Sequence, residues 1–91
     1  MKKSMRLFIT GSVQPFFFNK FIKDNADKLG IRGFIRSLED KRIEIFIEGN
    51  TDSVNKMAPL CKRGPQHSII RKVEERDEKF QDFKDFKVLK F

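Results

Sequence analysis

The chain has 91 residues, 38% of them apolar and 36% charged, with a formal net charge of +7, one cysteine and one histidine. That length holds one domain, residues 1–91, burying roughly 60–65 % of its unfolded surface. The lone cysteine excludes an intrachain disulfide, a single Cys and a single His exclude a Cys/His metal site, and no stretch approaches the ~20 apolar residues of a membrane span.

The positive balance favours polyanions or acidic surfaces. Asp and Glu are interspersed among Lys and Arg, however, so a solvated surface is the expected reading. Lys2, Lys3 and Arg6 ahead of "LFITGSV" loosely imitate a signal peptide, but the apolar run is short and broken by Thr10, Gly11, Ser12 and Gln14. A cytoplasmic protein with no membrane partner is expected.

"RLFITG" alternates, Leu7 and Ile9 against Phe8 and Thr10, and reads as a first strand closed by Gly11. From Phe18 the period lengthens. Phe18, Phe21, Ile22, Ala26 and Leu29 form one face of a helix, with Gly30 placed for a left-handed C-terminal cap. "IRGFIRS" and "RIEIFIE" read as a hairpin about the turn "LEDK". Asn50 or Thr51 caps a second helix running to about Lys62, packing through Val54, Met57 or Ala58, and Cys61, which is expected to be a small buried hydrophobe. Pro59 predicts a kink or an early end there. "SIIRKVEE" is a fourth strand, Arg76 to Lys84 a charged segment without clear period, and "DFKVLKF" a last strand. His67 follows "GPQ" in a loop and is expected to be solvated. The order predicts an α+β, ferredoxin-like βαββαβ sandwich, with two helices on one face of an antiparallel sheet and a short extra C-terminal strand.

Read as "GSVQPFFFNKFI", "LGIRGFIRSLEDKRIEIFIEG", "RGP" and "FKDFKV", the sequence resembles the acylphosphatase family. The family pattern is close to G-x-V-Q-G-V-G-F-R-x-F, then L-G-L-x-G-W-V-x-N, D-G-x-V-E-V-x-x-E-G, G-P and F-x-x-F-x-I. Gly11, Val13, Gln14, Phe18, Phe21, Gly30, Gly33, Glu44, Glu48, Gly49, Phe83 and Phe86 fall in register. The resemblance implies hydrolysis of carboxyl-phosphate anhydrides without a metal or other cofactor. It also implies that a glycine-rich loop cradles the phosphoryl group with backbone N–H groups, that an arginine at the start of the first helix binds it, and that an asparagine ending the second strand positions water.

Onto these positions fall Gln14, Pro15, Phe16, Phe17, Phe18 and Asn19, with Ser37 at the asparagine position. Pro15 has no N–H to donate, Phe17 stands at a cradle glycine, and Asn19 replaces the cationic fork with a neutral amide. Phe18 is expected in the core. Phe16 or Phe17 is expected to fill the volume a substrate would occupy, or else to project as an apolar contact. Lys41 replaces a turn glycine, a cost of ~1 kcal/mol if the left-handed conformation is required. Strand parity puts Arg32 and Arg36 with Phe34 on the face opposite Ile31 and Ile35, an awkward place from which to replace the arginine.

The expected function is therefore a catalytically degenerate acylphosphatase-like domain serving as a binding or regulatory module. Its partner would be a protein that the sequence does not name, and binding of acyl phosphate or inorganic phosphate would be weak or absent. One alternative is an acyl phosphate hydrolase with a rearranged site. Another is single-stranded RNA binding, with Phe8, Phe34 and Phe46 as stacking platforms on the open sheet face. Glu44 and Glu48 share that face and would repel phosphates, and the third strand lacks an RNA-recognition pattern, so nucleic acid is disfavoured.

Overall fold

The computed structural model describes residues 1–89. The elements are β1 (Lys2–Ser12), α1 (Pro15–Leu29), β2 (Arg32–Ser37), β3 (Ile43–Asn50), α2 (Thr51–Arg63), β4 (Ile69–Glu78) and β5 (Phe86–Val88). The strands form one sheet in the order β4-β1-β3-β2-β5. The first four pair antiparallel, whereas β5 joins β2 in parallel, Gly33 opposite Phe86. The sheet is thus mixed at that edge. The ferredoxin-like α+β arrangement expected from the element order is the observed one.

Alternation decides which face is buried. Met5, Leu7 and Ile9 of β1, Ile45 and Ile47 of β3, and Ile35 of β2 share a core with Phe18, Ile22 and Ala26 of α1 and Val54, Met57 and Cys61 of α2. Burying such aliphatic side chains contributes roughly 1.5–3 kcal/mol each. Gly33, at φ 138° in β2, lies against its paired strand β3, where a Cβ would stand 1.9 Å from the Phe46 carbonyl oxygen.

Several element ends depart from the sequence reading: Gly11 does not close β1, which runs to Ser12, and β3 continues past Glu48 to Asn50. β1 begins at Lys2 rather than Arg6, and α1 begins at Pro15 rather than Phe18, because proline suits a first helical turn, where its missing N–H has no partner to lose. α2 is not ended by Pro59 but continues to Arg63; Pro59 and Asn55 are both exposed, so the carbonyl left without its helical donor faces solvent. β4 extends to Glu78, through part of the segment that lacked a clear period. Gly30 takes the left-handed cap as expected, at φ 68°. Lys41, in the β2–β3 turn, takes the same region at φ 71°. Lys90 and Phe91, the end of the expected last strand, lie outside the described residues. Among the described residues no helix is long and apolar enough to cross a membrane.

The second sheet face is covered in part by the chain itself. Glu48 is completely buried, and its carboxylate accepts hydrogen bonds from Ser4 Oγ at 2.9 Å, the Gln81 N–H at 2.8 Å and the Phe83 N–H at 2.7 Å. This fastens the segment before β5 across the sheet. Phe83 then packs against Phe46 and Phe34, ring centroids 5.3 and 5.7 Å away. Glu44 is also buried and pairs with Arg6 and Arg36. The expectation that Glu44 and Glu48 form a repulsive open face is corrected accordingly: both are buried, Glu44 paired with arginines and Glu48 hydrogen-bonded by backbone amides and a hydroxyl.

Candidate functional site

The segment from Gln14 to Asn19 forms the entry of α1. Gln14 is extended, at φ −86° and ψ 111°, and caps the helix. Its side-chain Oε1 accepts the Phe17 N–H at 3.0 Å, and its backbone carbonyl accepts the Phe18 N–H at 2.9 Å. Pro15 contributes no donor. Among the backbone N–H groups of Phe16 to Phe18, only that of Phe16 has no acceptor among the described residues. Donors that point into a loop in an anion cradle are here the first bonds of a helix.

Phe18 is buried and packs under Gly64, where a Cβ would come within 2.8 Å of its ring, so the loop after α2 sits on it. Phe16 and Phe17 do the opposite. They are 67% and 61% exposed and contact each other edge to face at 5.5 Å. The expectation that one of them fills a substrate volume is overturned; the helix starts early, and its first turn turns both rings outward. The alternative, that they project, describes what is found.

Asn19 is half-buried on α1 and Ser37 is exposed at the end of β2. A cleft of about 600 Å³ opens beside the entry of α1, walled by Phe17, Phe21 and Pro65 with Gln14, Lys20, Asp24 and His67 around it. Ser37 lines a different depression, of about 250 Å³, with Arg36, Leu38 and Glu39. The two hollows share no residue, and Asn19 lines neither.

The arginines considered as substitutes are engaged elsewhere. Arg36 pairs with Glu44 and lies over the Phe34 ring at 5.5 Å, and Arg32 lies over Phe80 at 5.9 Å. Register with β3 sets both on the face away from α1, as strand parity indicated. Lys20, next to Asn19, pairs with Asp24 at 3.0 Å. Cys61 is buried in α2, and loss of solvent pushes its thiol up to about 12, so it offers no nucleophile. His67 is exposed, as expected, in a left-handed conformation at φ 72°.

For stacking on nucleic acid, Phe46 is removed from consideration because it is completely buried beneath Phe83. Phe8 is half-buried between Arg42 and Arg76, at 4.7 and 5.3 Å. The Glu48 network escaped the sequence reading. A signal was nevertheless present: Ser4, Arg6, Arg36, Glu44 and Glu48 share one parity across three strands that the fold makes neighbours.

Comparison with known proteins agrees with the geometry of the scaffold. The acylphosphatase family profile matches residues 5–88. An acylphosphatase of Caldivirga maquilingensis is 38% identical over 86 residues, covering 92% of this chain and 90% of its own. One of Syntrophus aciditrophicus is 30% identical over 90 residues, covering 98% and 94%. The crystal structure of acylphosphatase from Bacillus subtilis superposes with a TM-score of 0.88 over 99% of this chain and 100% of its own, at 23% identity, a likeness of fold. A profile match from the first strand to the last, relatives of matching span and a common fold lead to one conclusion: the chain belongs to the acylphosphatase family.

Proposed function

We propose that this domain keeps the acylphosphatase scaffold without its hydrolytic chemistry and serves as a binding or regulatory module. The observation that carries this reading is the state of the α1 entry. Gln14 occupies the Phe17 and Phe18 amides, Pro15 has none, and the helix position expected to carry a cation holds Asn19. A phosphoryl transition state is stabilised mainly by positioned charge and donors, and a single arginine contributes ~10³–10⁵ in rate in comparable transfers. Loss of one oriented donor costs ~10²–10³. The two losses need not multiply, because such groups act as a unit. Either leaves a poor enzyme.

The second reading, hydrolysis of acyl phosphates with a rearranged site, draws support from the acylphosphatase names of the relatives. Benzoyl phosphate hydrolysis decides between them. The unaltered chain is expected to turn over no faster than buffer. A variant carrying Asn19→Arg, Ser37→Asn, Pro15→Gly and Phe17→Gly is expected to gain hydrolysis. Turnover by the unaltered chain, with a folded but inert restored variant, would reverse the assignment.

A further inference from the structure

Phe17 lines the cleft of about 600 Å³ with Phe16 exposed beside it in the chain, and Ile69, 59% exposed, lies at the same end because it pairs with Ser12. Exposed apolar side chains that adjoin one another and a concave surface are candidates for a contact surface. A cleft of about 600 Å³ holds one or two large side chains or a short peptide segment. The lining charges of the cleft balance, and two further basic residues lie close to it in the chain or on the neighbouring strand end. Lys20 is offset by Asp24, but Arg71, hydrogen-bonded to Ser12 Oγ at 3.0 Å, and Arg63, just before the Gly64 loop, have no carboxylate partner among the described residues.

Resting on the reading that this site no longer takes acyl phosphate, we propose that the Phe16–Phe17 step and its cleft dock an acidic, apolar segment of a protein partner. An aromatic or aliphatic side chain would fill the space between Phe17, Phe21 and Pro65, while neighbouring carboxylates meet Arg71 and Arg63. Two other occupants fit less well. A second copy of this chain would bring together two molecules each of net charge +7. A lipid bilayer is flat and would leave the cleft unfilled, with Asp24 facing anionic headgroups.

The test begins with a randomised peptide display library panned against the whole chain. The chain contains neither Trp nor Tyr, so Phe17→Trp installs a single indole at the cleft whose emission reports binding of the selected peptides. Expected are peptides combining Asp or Glu with aromatic or aliphatic residues, a blue-shifted emission on binding, and affinity that falls with salt. Phe16→Ser and Phe17→Ser alter exposed side chains, so both variants should stay folded and weaken binding at least tenfold. Arg71→Glu should weaken it as well. The proposal is overturned if no peptide is enriched, if selected peptides lack carboxylates, or if they bind the serine variants unchanged. It is equally overturned if only phosphatidylserine vesicles shift the indole, or if the surface proves to be a dimer contact in sedimentation. Benzoyl phosphate turnover measured on the same samples separates the two ideas. Turnover by the unaltered chain removes the degenerate-site reading, whereas failed peptide binding without turnover removes only the docking.

Discussion

The side-chain oxygen of Gln14 accepts the backbone N–H of Phe17 at 3.0 Å, closing the first turn of α1. This single bond joins stability to function. Gln14→Ala leaves the Phe17 N–H with solvent only, and side-chain caps are typically worth about 1 kcal/mol. A loss of that size in urea denaturation, with unchanged slope, is expected, and the variant is not expected to gain phosphate binding.

Glu48→Ala removes the acceptor shared by Ser4, Gln81 and Phe83. Donors left unsatisfied cost ~1–3 kcal/mol each, and relaxation of the 79–85 segment recovers part of that. A loss of about 3 kcal/mol is expected. Amide hydrogen exchange at Gln81 and Phe83 should accelerate before exchange in β1 and β3 does.

Pro59→Ala should stabilise the chain. The substitution restores a donor for the Asn55 carbonyl and removes a ring clash inside α2, whereas proline in a helix interior costs ~3 kcal/mol. Part of the gain is offset because alanine frees the unfolded chain. A rise of about 1–2 kcal/mol in unfolding free energy is expected; a fall would mean that α2 is built around the proline.

Cys61 makes stability depend on pH in the alkaline range. Burial holds its thiol protonated up to about 12, whereas an unfolded cysteine ionises near 8.5. Between these values the unfolded chain releases a proton that the native chain keeps. Stability is therefore undiminished below about pH 8.5 and falls as pH rises, by ~1.4 kcal/mol per unit from this group. Comparing the pH dependence of Cys61→Ser with that of the parent isolates the effect, and a thiol reagent should label Cys61 only when the chain unfolds.

Much of the fold is legible in the sequence, since Leu7, Ile9, Ile45 and Ile47 alternate at period two while Phe18, Ile22 and Ala26 recur at helical spacing, and each pattern carries one buried face. Gly30 is readable as a cap because it follows the last apolar residue of the helical pattern, whereas the left-handed turn at Lys41 is expected from the family resemblance. The start of α1 is not, because proline ends a helix from inside but begins one comfortably, and only the Gln14 cap decides between the two. The direction of Phe16 and Phe17 follows from that start and inherits its ambiguity. Burial of Glu44 and Glu48 depends on residues up to 44 positions away and on a segment crossing the second sheet face, so no local pattern announces it.

The central claim is that the entry of α1, with few free donors and the neutral Asn19 where a cation is expected, does not hold a phosphoryl group. Titrating the chain with inorganic phosphate while following backbone amide resonances tests this most directly. The expected result is the absence of saturable shifts at Phe16, Phe17, Phe18 and Asn19, even at millimolar phosphate. Saturating shifts centred on those amides, competed by benzoyl phosphate, would contradict it.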